Sequence, residues 1–164
     1  PNLEEAMSEN HPDLGGPTNE AAAAGAMLRV DLTAARDALF QATAKASKHP
    51  TCDQLIALAD DPVADFTWLV DNISMPYRVG ERAAACLIAH HPADAAEQLS
   101  RWVIEPESRN VGLLIIDKIG ELPTEQGHAL ARRAVLEGPE VKLVREKLKA
   151  NPDPAFQKIA KAKK

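Results

Sequence analysis

Lys48 to Asp61 reads KHPTCDQLIALADD. Pro50 disfavours an α conformation at His49 and so stops any helix that precedes it. Thr51 fits an N-cap, and Gln54, three residues on, is placed to reach back to the Thr51 amide and close a capping box. Leu55, Ile56 and Leu58 supply a short buried face. Asp61 followed by Pro62 repeats the device, because a cap carboxylate accepts a helix amide bond and proline suits the first helical turn. The stretch predicts short helices joined by brief turns, and it decides the fold class if the same punctuation recurs.

It recurs along the chain. Upstream, Leu28, Leu32, Ala35, Leu39 and Ala42 fall on one stripe of a helix that begins near Asn19 and ends before Pro50, with Asp31 and Thr33 marking a break. Downstream, Phe66, Leu69 and Val70 form the apolar side of the next helix. Pro76 precedes a helix carrying Val79, Ala83, Ala84, Leu87 and Ile88, which Pro92 ends. Ala95, Leu99, Trp102 and Val103 share one side of the segment Ala93 to Ile104. Val111, Leu114, Ile115, Ile119 and Leu122 make another stripe, which Pro123 ends. Thr124 is expected to cap a helix through Leu130, Ala131, Ala134 and Val135, with Gly138 as its C-terminal cap. Pro139 opens the last helix, with Val141, Val144 and Leu148 inward, and Asn151-Pro152 closes it. No alternating run is long enough for a strand, so the chain reads as all-α.

Pro76, Pro106 and Pro139 each stand at the entrance of a second helix, 30 and then 33 residues apart. A period in that range signals stacked two-helix repeats. Arg78 and Arg109 follow two of these prolines. On these residues the sequence resembles the HEAT-repeat family, in which a proline and an arginine mark the second helix of each hairpin. Ala46 to Pro62, ASKHPTCDQLIALADDP, and Val144 to Pro154, VREKLKANPDP, are similar to the leucine-rich repeat variant family, a relative of HEAT repeats. The second Pro that the variant family has after the Thr is missing, Asn72 is not followed by Pro, and Phe66-Thr67 stands where Val-Arg is expected. His90 to Trp102, HHPADAAEQLSRW, also resembles the superhelical cytosolic domains of magnesium transporters. These resemblances imply a short right-handed α-solenoid of HEAT-like hairpins, in which neighbours stack because no hairpin buries its apolar face alone.

Composition bounds the function. Of 164 residues, 45% are apolar and only 4% aromatic, so the core must be built from Ala, Leu, Ile and Val in close contact, which favours packed helices. The longest apolar stretches, Ala21 to Val30 and Val111 to Ile116, fall short of the roughly 20 residues that a membrane span needs. With no secretory signal visible, the reading is cytoplasmic, with no membrane partner. Met7 looks like a start site, which sets Pro1 to Ala6 apart as non-native. Residues 1–18, with Gly15-Gly16-Pro17, read as a flexible lead-in, 19–154 as the helical-repeat domain and 155–164 as a basic tail. The net charge of −5 is uneven: Val141 to Lys164 carries eight Lys or Arg against Glu146 and Asp153, leaving −11 for the remainder. An acidic body disfavours non-specific nucleic-acid binding.

Catalytic chemistry finds little support. No Gly-x-Ser-x-Gly turn or phosphate-binding glycine loop occurs, and the chain lacks the amino-terminal cysteine group on which some leucine-rich-repeat-variant proteins hold an iron–sulfur cluster. His90 and His91 are neighbours pointing about 100° apart on a helix, unsuited to converge on one metal. Cys52 and Cys86 have no Cys-x-x-Cys spacing and read as small apolar core residues rather than a disulfide. Neither a metal nor a cofactor is expected. The leading expectation is a non-catalytic protein-interaction module, a scaffold or adaptor. Its candidate contact residues are Trp68, Tyr77, Arg78, Trp102 and Arg109, with a basic tail of Lys158, Lys161, Lys163 and Lys164. The alternative is nucleic-acid binding or DNA repair, using that tail and Trp102, as some HEAT-like proteins resemble DNA glycosylases. A third reading is self-association through an uncapped solenoid end.

Overall fold

The computed structural model describes residues 19–45, 50–73 and 78–162, with side chains described from Leu32 onward. Among these residues every regular element is helical. The chain divides into two compact units, Pro1–Leu39 and Phe40–Lys164. Helix α1, Asn19–Lys45, begins in the first unit and ends in the second. It runs without the break expected at Asp31 and Thr33. Each of those residues lowers helix propensity by only up to about 0.7 kcal/mol, which a long helix absorbs. Of the expected stripe, Leu39 is buried, Ala42 half-buried, and Leu32 and Ala35 exposed.

The second unit continues with α2 (Cys52–Leu58), α3 (Pro62–Asn72), α4 (Val79–His90), α5 (Ala96–Trp102) and α6 (Arg109–Asp117). After these come α7 (Thr124–Glu137), α8 (Val141–Ala150) and α9 (Pro154–Ile159), with 3-10 turns at Pro106–Ser108 and Ile119–Glu121. The capping box of α2 forms as expected: the Thr51 amide donates to Gln54 Oε1 at 2.9 Å and the Gln54 amide to Thr51 Oγ1 at 3.4 Å. Asp61 caps α3 by accepting from the Ala64 amide at 3.1 Å. A third such cap opens α9, where Asp153 Oδ1 accepts from the Ala155 amide at 2.8 Å, again just before a proline.

Two local expectations fail. Thr124 is the first helical residue of α7 rather than its cap, because Pro123 takes the N-cap position. Leu58, expected inside, is 60% exposed at the end of α2, where only Leu55 is buried. Gly138 ends α7 as expected but in an extended conformation, with φ −66°. Its reason is space, since a Cβ there would stand 2.5 Å from the Ala134 carbonyl oxygen and 3.0 Å from that of Val103.

Two rows of helices form the unit. Helices α4, α6 and α8 pack one on the next, and so do α5, α7 and α9, while α3 lies chiefly on α4. Small residues let the rows approach: a Cβ on Gly112 of α6 would come within 2.7 Å of the Trp102 carbonyl oxygen at the end of α5. Phe66, Leu69, Leu87, Leu99, Trp102, Ile115 and Val135 are fully enclosed between the rows. Side-chain ties join residues 30 to 34 apart in sequence. Arg101 and Trp102 bond to Asp71, Gln126 to the Pro92 carbonyl, Arg133 to Ser100, and Lys147 to Asp117.

Cys52 and Cys86 form a disulfide that joins α2 to α4, with Cα atoms 5.3 Å apart. This corrects the sequence reading. Residue spacing carried no sign of the bond, because the two cysteines meet only when α2 folds onto α4. Residues 155–162, read as a solvated basic tail, include α9, with Phe156, Ile159 and Ala160 buried.

Candidate binding groove

Residues from two helices more than 15 positions apart in sequence build a largely apolar recess in the second unit. On α7, Arg132 and Leu136 are one turn apart and so share a side of the helix. Ala155, Lys158, Ile159 and Ala162 repeat at three- and four-residue steps and place a second stripe beside the first. Together with Lys161 these residues line a groove of about 560 Å³. Leu136, 38% exposed, and the Ala and Ile side chains form its floor. Arg132, Lys158 and Lys161 stand around it, exposed, and among the described residues none of the three makes an ion pair. No carboxylate and no aromatic ring lines it.

The backbone along the groove is already bonded. The Lys161 and Ala162 amides donate to the Lys158 and Ile159 carbonyls, and the Ala162 carbonyl accepts from Arg145 Nη2 at 2.6 Å. The side chains there offer a partner apolar surface and three cations.

The other sequence candidates lie elsewhere. Trp102 is fully buried, its Nε1 donating to Asp71 Oδ1 at 2.9 Å, so it is a core residue and not a surface anchor. Trp68 is half-buried on α3. Arg109 is tied to Glu140, Nε to Oε1 at 2.6 Å. Arg78 sits at the N-terminus of α4 in the left-handed region, φ 56°, a conformation that costs a residue with a Cβ about 1 kcal/mol or more. It lines a polar cleft of about 410 Å³ with Asp71, Glu81, Arg101, Glu105 and Glu107. There Asp71 and Glu105 grip Arg101 at 2.6 and 3.3 Å, and the hydrogen bond that the guanidinium donates to Asp71 holds it above its usual range against the opposing effect of burial. Tyr77, Lys163 and Lys164 lie outside the described residues.

So the structure brings Lys158 and Lys161 together in one groove, sets Trp102 and Arg109 on one small recess of about 10 Å³, and places Trp68 and Arg78 on neither. Sequence reasoning missed Arg132, Leu136 and Ile159. A signal for them existed in the 155, 158/159, 162 spacing, which the label of tail concealed. The histidines pair locally, His90 Nε2 with Asp53 at 3.4 Å and His91 Nδ1 with Asp94 at 3.6 Å. Among the described residues no three His, Cys, Asp or Glu side chains are grouped to hold a metal, and no helix is long and apolar enough to cross a membrane.

No family model matches this chain. Searches of curated proteins and of solved structures likewise give no significant match.

Proposed function

We propose that the chain is a non-catalytic protein-interaction module, a HEAT-like stack of helical hairpins that binds a protein partner through the groove between α7 and α9. The observation that carries this reading is the groove itself, an apolar floor ringed by three cations that make no ion pair among the described residues. Apolar surface bounded by charge is the anatomy of a protein interface, in which the floor supplies affinity and the rim supplies orientation. The HEAT-like part rests on the two rows of helices, on the 30-to-34-residue offset of the side-chain ties, several of which join successive helices of one row, and on the matching spacing of Pro76, Pro106 and Pro139.

Nucleic acid is the weaker reading. The groove has no aromatic ring for base stacking, and most of the chain is acidic. Cytoplasmic placement carries a condition, since a structural disulfide persists where the medium is oxidising.

The test compares Leu136→Glu, in the floor, with Leu58→Glu, at a 60% exposed position on α2. Each tagged chain is used to capture polypeptides from a nuclease-treated lysate of its own source. A protein recovered by wild type and Leu58→Glu but lost with Leu136→Glu supports the reading. Equal recovery by all three, or recovery that disappears with nuclease, overturns it.

A further inference from the structure

We infer that the occupant of the α7/α9 groove is an acidic amphipathic helix of a partner protein. This rests on the interaction-module reading above and adds the chemistry of the partner. Sign comes first. Arg132, Lys158 and Lys161 face the recess without an ion pair among the described residues, and no carboxylate lines it. A segment carrying Asp or Glu would give each cation a partner, whereas a basic one would be repelled.

The floor fixes the second property. Leu136, Ala155, Ile159 and Ala162 offer only methyl and methylene groups, so the anionic segment must also present apolar side chains. A chain lying in such a recess loses water from its own amides. The groove gives them little in return, because the Lys158, Ile159 and Ala162 carbonyls already accept and the Lys161 and Ala162 amides already donate. Among the described residues there is no sheet edge to pair with. A segment that satisfies its own backbone before docking avoids that cost, and a helix does so. Its apolar side chains at i, i+3 or i+4, and i+7 then form the stripe that fits between two helices.

A nucleic acid would satisfy the cations but leave the floor against sugar and phosphate. A small anion would use the cations and leave the floor empty.

The experiment uses the full chain and a fluorescein-labelled 16-residue peptide, with Leu at helical i, i+3 and i+7 spacing and Glu on the flanking positions, read by anisotropy. Binding should weaken at least tenfold with a scrambled peptide of the same composition, and be lost when Lys replaces Glu in the peptide. It should also weaken at least tenfold in Lys158→Glu/Lys161→Glu and in Leu136→Glu, with helical circular dichroism retained. Leu58→Glu, on α2 and outside the groove, should bind as wild type does. Equal binding of the scrambled peptide would mean that charge alone acts and would overturn the proposal. A single-stranded DNA 16-mer that binds as tightly would assign the site to nucleic acid. Sedimentation showing a dimer dispersed by Leu136→Glu would assign it to a second copy of this chain. If the cellular partner is lost with Leu136→Glu yet the peptide fails to bind wild type, the interaction reading stands and the acidic-helix occupant falls.

Discussion

Removing the Cys52–Cys86 bond tests how the second unit is held together. The cysteines are 34 residues apart, and closing a loop of that size lowers unfolded-chain entropy by an amount worth about 3.8 kcal/mol at 25 °C. Cys52→Ala/Cys86→Ala should therefore be less stable than the oxidised wild type by about 4 kcal/mol, with a Tm lower by on the order of 10 °C. Urea unfolding followed by circular dichroism measures this. The m-value should rise as well, because an uncrosslinked unfolded chain exposes more surface. The loss should concentrate in α2: its seven residues are too few for an independent helix, and Leu55 is its only buried side chain. Hydrogen exchange should speed up across Cys52–Leu58 while the amides of α4 keep their protection. Reduced wild type should behave like the double variant. If oxidised wild type and the variant unfold within about 1 kcal/mol of each other, or if the native oxidised chain titrates as two free thiols, the staple argument is wrong.

Three further outcomes follow from the packing. Gly112→Ala should cost about 2 kcal/mol or more, because its Cβ meets the backbone oxygen of Trp102 at 2.7 Å, whereas Gly120→Ala, with nothing within 4 Å, should be neutral or mildly stabilising; thermal unfolding of the pair separates them. Asp71→Ala should destabilise by about 2 kcal/mol, since it strands the buried Trp102 N–H and releases Arg101, and Asp71→Asn should cost less by keeping an acceptor for the indole, with both read by urea unfolding and tryptophan fluorescence. Thr51→Ala should remove the bond from the Gln54 amide to Thr51 Oγ1, leave the one from the residue-51 amide to Gln54 Oε1, and cost about 1 kcal/mol, confined by hydrogen exchange to the first turn of that helix.

Local punctuation explains how much of this fold was legible. The capping box at Thr51, the Asp61-Pro62 cap and the end of α4 before Pro92 depend on residues within one helical turn of each other, so the sequence states them directly. The burial of Val79, Ala83, Leu87, Leu99, Ile115 and Leu148 follows from helical period in the same way. The candidate site was less legible. Lys158 and Lys161 were visible as charge, yet their significance depends on Leu136 and Arg132, which lie more than 20 residues away. Trp102 looked like an anchor because it is a rare aromatic, and it proved to be the largest side chain of the core.

By itself the sequence determined that the described residues are helical, where α2 and α3 begin and α4 and α7 end, and which faces carry most of the apolar residues, because period, proline and caps act over one or two turns. Only the tertiary structure decided that Cys52 meets Cys86, that Asp71 holds Arg101 and Trp102 together, and that α9 lies beside α7 to form a groove. Each of these joins residues from separate helices. Such pairings depend on how whole helices pack, and no short window of sequence encodes that.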